Sequence, residues 1–172
     1  NEVENKIVAM PTSNQFRWTM VNLGFVEIQG IDVAIQSSFL FGNEIELDTR
    51  INYTYQKAQD FTSKSSNYYG GQIPSIPWHS GSLVLNGSYR GWDLNYSFIY
   101  TGERYESQAN IPENYAKPWY TSDLSASRKL NRNDKEIRLT AEINNIFNQQ
   151  YEVVQNYPMP GINFKFILNV TI

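Results

Sequence analysis

A period of two constrains this chain more than any other feature. Between positions 45 and 56, Ile45, Leu47, Ile51, Tyr53 and Tyr55 share one face with Thr49. Glu46, Asp48, Arg50, Asn52, Thr54 and Gln56 share the other. Successive side chains of a strand point to opposite faces, so an extended backbone here has an apolar wall and a charged wall. A helix would scatter both sets around its axis. The pattern recurs. Ile31, Val33, Ile35, Phe39 and Phe41 oppose Asp32, Ala34, Gln36 and Ser38, and Trp92, Leu94, Tyr96, Phe98 and Tyr100 oppose Asp93, Asn95 and Ser97. Ile137, Leu139, Ala141 and Ile143 oppose Arg138, Thr140, Glu142 and Asn144, and Phe164, Phe166, Leu168 and Val170 oppose Lys165 and Asn169. Helical periodicity is nearly absent. The expected fold is all-β, with eight antiparallel up-and-down strands near 6–10, 31–41, 45–56, 83–90, 92–101, 120–130, 137–144 and 164–172.

The connections between these strands sort by length. Those near 42–44, 90–92 and 131–134 are tight, and those near 11–17, 61–77, 107–118 and 149–160 are long. Short turns at one end and long loops at the other mark an outer-membrane barrel, with turns periplasmic and loops extracellular. All seven prolines are expected in the long connections, since proline brings no N–H to a ladder. Aromatics gather near strand ends: Tyr53, Tyr55, Tyr100, Tyr105, Trp119, Tyr120, Phe147, Tyr151 and Phe164 toward the loops, and Phe39, Phe41, Tyr89 and Trp92 toward the turns. Two aromatic belts fit the two interfaces of a bilayer, although strands favour aromatics in any setting. No apolar run approaches the ~18 residues of a membrane helix, whereas a barrel strand crosses with roughly 9–11 alternating residues. In such a barrel the polar residues Asp32, Glu46, Asp48, Arg50, Asp93, Arg138 and Glu142 face the lumen.

Composition agrees. Aromatics reach 15% and charged residues only 18%, below the ~25% typical of soluble domains. A net charge of −3 with no basic stripe excludes a nucleic-acid partner. The absence of cysteine excludes disulfides, thiolate metal sites and cysteine nucleophiles. The chain begins at Asn1 without a signal peptide, which suggests a processed or truncated product.

No catalytic set emerges, and neither an enzyme nor a cofactor is expected. His79 is the only histidine, in a proline-rich stretch where a structural role outweighs a metal or general-base role. Asp60, Glu103, Glu106 and Glu113 sit near the long connections, but nothing resembles a calcium loop. No serine lies in a nucleophile elbow. Asn52, Asn86, Asn95 and Asn169 each open an N-x-[ST] match, yet all lie within expected strands, so chance composition explains them.

Several stretches resemble a known family: 21–33 (VNLGFVEIQGIDV), 53–60 (YTYQKAQD), 72–79 (QIPSIPWH), 100–105 (YTGERY), 144–151 (NNIFNQQY) and 158–161 (PMPG). In order and spacing they are similar to the last third of the barrel of TonB-dependent receptors, especially of the Bacteroidetes type. Ile162 stands where the family commonly has a basic residue, and Ile172 where its barrels usually end in an aromatic. The resemblance implies that residues 1–172 form one region, the C-terminal part of a barrel of about 22 strands, without the plug domain. The implied partners are outer-membrane lipid, the plug and remaining strands of a parent chain, and an energy-coupling protein. The implied activity is energised import of a scarce, bulky nutrient that is siderophore-, corrinoid-, glycan- or peptide-like. Ligand capture falls by resemblance to loop and upper-lumen residues, here Tyr68, Tyr69, Trp78, Arg104, Tyr115 and Trp119. Two other readings stay open: a complete small eight-stranded outer-membrane protein, and a soluble lipocalin-like binding barrel with its apolar face inward.

Overall fold

The computed structural model describes residues 2–11, 17–42, 44–132 and 135–171. Its strands are β1 (Glu2–Pro11), β2 (Trp18–Phe41), β3 (Ile45–Asp60), β4 (His79–Tyr89), β5 (Trp92–Thr101), β6 (Arg104–Tyr105), β7 (Tyr115–Ala116), β8 (Trp119–Arg132), β9 (Lys135–Asn144), β10 (Glu152–Val154), β11 (Tyr157–Pro158) and β12 (Asn163–Thr171). The only helical element among the described residues is a single 3-10 turn, Pro112–Asn114. Eight strands form one sheet in the order β1-β2-β3-β4-β5-β8-β9-β12, so each strand lies beside its sheet neighbours in sequence. The ladders β1–β2, β8–β9 and β9–β12 are antiparallel, and β1 and β12 stand at the two ends of the order.

The eight expected strands are present, with three differences. β2 starts at Trp18, not near 31, because residues 18–27 pair with β1 beyond the stretch where alternation is clean. The small strands β6–β7 and β10–β11 form two-stranded sheets inside the long connections and are too short for any period to announce them. Prolines are not confined to connections: Pro11 closes β1 opposite Trp18, and Pro158 pairs with Glu152 in the β10–β11 sheet. Both positions are strand ends or edges, where a missing N–H costs little. The 11–17 connection falls largely on residues outside the described set, as do residues 133–134, which the pair Arg132↔Lys135 flanks, and Ile172.

The chain divides into two compact units. One comprises Asn1–Asp32, Thr54–Ser80 and Thr101–Trp119. Its core is Leu23, Val26, Ala58 and Ile73, with Val3, Val8, Val21, Ile28 and Ile76 packed around them. Burying Leu23, Val26 and Ile73 contributes about 1.5–3 kcal/mol each. Val3 and Val8 are of opposite parity, yet both reach this core. Between them Asn5 adopts φ +55, a conformation that asparagine tolerates. Gly30 answers a close approach: a Cβ there would collide with the Tyr55 carbonyl oxygen.

The second unit comprises Val33–Tyr53, Gly81–Tyr100 and Tyr120–Ile172. Alternation governs its surface. Ile35, Phe39, Ile51, Leu94, Leu139, Phe164, Phe166 and Leu168 are all exposed, Phe166 at 83%. The other face is joined by polar side chains: Ser38 donates to Asp48 (2.5 Å), Asn52 to Ser82 (3.2 Å) and Ser88 to Asp93 (3.0 Å), while Ser127 and Thr140 share a bond of 2.8 Å. Soluble sheets turn the apolar face to a core and the polar face to water. Here the apolar face has no protein covering among the described residues, as a lipid-facing wall requires.

Candidate functional site: the knitted long connections

The long connections 61–78, 102–118 and 145–162 fold back onto strand ends in place of trailing into solvent. In the first unit, the 61–78 connection lays an extra partial strand along β3: Asp60 N–H donates to Gly71 O (2.9 Å), Gly70 N–H to Asp60 O (2.7 Å), Ile73 N–H to Ala58 O (3.1 Å) and Gln56 N–H to Trp78 O (2.8 Å). Gly70, at φ +78, supplies the reversal that this return needs. Ile73 and Pro74 then fill the core beneath.

The 102–118 connection is tied to the first through side chains. Asn110 accepts from the Gln72 N–H at 2.5 Å and donates to the Gln72 carbonyl at 3.1 Å, so its amide bonds both backbone groups of one residue, as a neighbouring strand does. Gln108 donates to the buried Asp60 carboxylate (2.8 Å), which also accepts from Thr62 N–H (2.8 Å). Ser75 N–H donates to Tyr105 O at 2.7 Å. Arg104 and Glu106 form a buried ion pair at 3.1 Å. Removing one partner of such a pair leaves an uncompensated charge, so both hold the connection in place.

Two clefts open between these connections. One of about 220 Å³ is lined by Tyr68, Tyr69, Gln108 and Asn110 among others. The second, of about 270 Å³, is lined by Gln59, Gln72, Trp78, Glu103, Tyr105 and Asn110 among others. The Lys57 ammonium lies 5.5 Å from the Trp78 ring centroid, and Tyr115 donates to Glu103 at 2.7 Å. Of the six residues expected at the ligand, Tyr68 and Tyr69 line the first cleft and Trp78 the second. Tyr115 borders the second through its bond to Glu103. Arg104 lines neither cleft, and its side chain is 5% exposed, so it acts on the clefts by fixing the chain between Glu103 and Tyr105. Trp119 is half-buried and lines neither. Asn110 and Gln72 were not legible as important, since a polar residue in a loop reads as solvated, and Asp60 was readable only as one of a group of acidic residues.

The acidic residues do not assemble. Asp60 and Glu106 are held by Gln108 and Arg104, Glu103 accepts from Tyr115, and Glu113 lies exposed on the 3-10 turn. The His79 ring lies 5.1 Å from that of Tyr55, tilted by 38°.

The polar-face residues are placed as follows. Asp32 accepts from Thr54 (2.7 Å) and Asp48 from Ser38. Asp93 lies 3.8 Å from Arg138, and Glu142 lies 3.5 Å from Lys165. Glu46 and Arg50 are exposed on the same alternating face of β3 as Asp48.

The 145–162 connection, in the second unit, is organised by one residue. Asn145 is buried at φ +50. Its N–H donates to Asp123 (2.8 Å), its amide to Gln149 O (2.9 Å) and Pro160 O (3.2 Å), and its side-chain oxygen accepts from Gln149 N–H (2.9 Å). Asn148, at φ +48, accepts from Ile162 N–H at 3.0 Å. Burial pushes the Tyr151 hydroxyl pKa up, and the Asp123 charge adds to that.

A family model described as TonB dependent receptor-like, beta-barrel, matches residues 1–146. Among solved structures, the chain is similar over 98% of its length to 23% of the ferric-catecholate import receptor Fiu of E. coli K12 in its closed form, with TM-score 0.68 and 17% identity. It is similar over 98% of its length to 27% of the FrpB iron transporter of Neisseria meningitidis (TM-score 0.54, 17% identity). It also matches, over 87% of its length, 27% of BauA, the ferric preacinetobactin receptor of Acinetobacter baumannii (TM-score 0.53, 16% identity). The structural likeness is one of fold, and the chain spans 23% of the first of these proteins and 27% of each of the others. With the family model matching most of the chain, this protein belongs to the TonB-dependent receptor β-barrel family, a family of outer-membrane receptors and transporters.

Proposed function

We propose that the chain is the C-terminal portion of the barrel wall of an energised outer-membrane importer for a scarce, bulky nutrient, of the Bacteroidetes type. The observation that carries this reading is the pairing of an uncovered apolar face with a polar, hydrogen-bonded one in a member of this family. Asp32, Glu46, Asp48, Arg50, Asp93, Arg138 and Glu142 then line the lumen and meet the plug, and an energy-coupling protein acts on the parent chain. Tyr68, Tyr69, Trp78 and Tyr115 offer aromatic surface to the ligand, while Arg104 and Trp119 shape the connections behind them. The three similar receptors are named for a ferric catecholate, ferric preacinetobactin and iron, so a ferric chelate is the first ligand class to test. Corrinoid, glycan and peptide follow.

The test places the full-length parent receptor in the outer membrane of a host stripped of its own importers. Uptake of a panel of ferric chelates, a corrinoid, oligosaccharides and peptides is measured with and without the energy-coupling protein. Energy-dependent uptake of one class, reduced at least tenfold when Trp78 and Tyr115 are both replaced by alanine, is the expected result. Equal uptake with and without energy coupling overturns the reading.

A further inference from the structure

At the turn between β4 and β5, Arg90 (φ +46) and Gly91 (φ +78) form a type I′ hairpin turn. The Arg90 guanidinium is already neutralised: it donates to both oxygens of Glu44 at 3.0 and 2.7 Å. Arg128 of β8 is not. Its guanidinium lies 5.1 Å from the Trp92 ring centroid and donates one N–H to Arg90 O at 2.6 Å. Gly91 packs against it, since a Cβ there would lie at ordinary contact distance, 3.7 Å, from the Arg128 Nη1. Arginine carries five N–H donors, so four here have no protein partner among the described residues. No carboxylate among the described residues pairs with Arg128.

The position of this unpaired cation is informative. Arg128 alternates with Ser127 and Lys129, so it shares the apolar face with Leu124 and Leu130, both exposed. Trp92 and Leu94 are exposed on β5 and Tyr89 on β4. A charge on a lipid-facing surface is costly at the bilayer middle and nearly free of cost near an interface. The tight-turn end is such an interface. Planar guanidinium groups match phosphate in geometry and charge.

We propose that Arg128, held by Trp92 and the Arg90 carbonyl, is a binding site for the phosphodiester headgroup of a phospholipid in the periplasm-side leaflet. This rests on the membrane-wall reading above. The arginine supplies the donors, Trp92 fixes the plane of the guanidinium, and Leu94 and Leu124 lie farther from the turns, where acyl chains begin.

The experiment uses the full-length receptor, delipidated in detergent and titrated with phosphatidylglycerol, with bound lipids counted by native mass spectrometry. A diacyl glycolipid without phosphate and inorganic phosphate serve as the other probes. Arg128→Gln is expected to weaken one phosphatidylglycerol site about tenfold, Arg128→Lys to weaken it less, and the phosphate-free lipid to bind both receptors alike. If Arg128→Gln loses the two lipids equally, the residue merely pins the turn and the proposal is overturned. If inorganic phosphate displaces phosphatidylglycerol at equal concentration, the site is one for free phosphate and the proposal is overturned. Insertion of both receptors into vesicles is scored separately: failure of the wild type to insert overturns the wall reading, whereas insertion with unchanged lipid binding overturns only the headgroup site.

Discussion

Asn145 does more than its neighbours, and the reason is conformational as much as polar. It holds a left-handed backbone and satisfies four groups at once. Asn145→Ala strands buried donors and acceptors and strains φ, so the barrel should lose about 1–3 kcal/mol in vesicle refolding titrations. Asn145→Gly keeps the φ but not the side-chain bonds, and should lose less. The NNIF stretch was legible in the sequence as a family likeness, but why its second asparagine is needed was not, because the four partners come from positions 123 to 160. Gly30 is a parallel case. It lies within the 21–33 stretch that resembles the family, while the clash with the Tyr55 carbonyl that demands glycine was not readable. Gly30→Ala should cost about 1–3 kcal/mol by the same measurement. Tyr151 makes a pH prediction. Its pKa is raised in the folded state, so its contribution is complete below the unfolded value of about 10 and is lost as pH climbs through the higher folded value. Protease resistance of the 145–162 connection should therefore drop above pH 10, and Tyr151→Phe should blunt that drop.

Strands are the elements that sequence specifies best here, because each residue reports its face through its neighbours. Leu139 is 47% exposed, whereas adjacent Thr140 is bonded to Ser127 on the opposite face. Leu139→Arg should destabilise the vesicle-inserted barrel by about 2–4 kcal/mol, and Thr140→Arg much less, because the lumen is hydrated. Equal penalties in vesicles would remove the membrane-wall assignment. Alternation failed where it was locally broken. β2 runs 24 residues, and its loop-side part loses the clean period around Gly24, where a Cβ would lie 2.9 Å from Thr62. At ~3.3 Å per residue, so long a strand far exceeds an apolar band ~25 Å tall. Its upper part accordingly serves a core, not lipid. The β6–β7 and β10–β11 sheets escaped notice because two or three residues carry no period.

In the order of the eight strands, β1 and β12 stand at the ends without a second ladder partner among the described residues, and the apolar face of β12 has Phe164, Phe166 and Leu168 more than 60% exposed. Unpaired edges and large apolar patches drive association. The chain by itself in plain buffer should run as oligomers or aggregates in size-exclusion with light scattering, and a monodisperse monomer would favour a soluble lipocalin-like barrel. The sorting of connections has a further consequence for assembly. If the tight turns stay periplasmic, every long connection must be carried through the hydrocarbon during biogenesis, with Arg104, Glu106, Asp60 and Asn110 aboard. A knitted cluster is bulky and an unknitted one exposes bare polar groups to lipid, which cost several kcal/mol each. The strands therefore have to cross as open hairpins and the connections knit last, on the far side. Asn110→Ala and Asp60→Asn should therefore delay the last gain of protease resistance during refolding into vesicles and leave strand insertion unchanged.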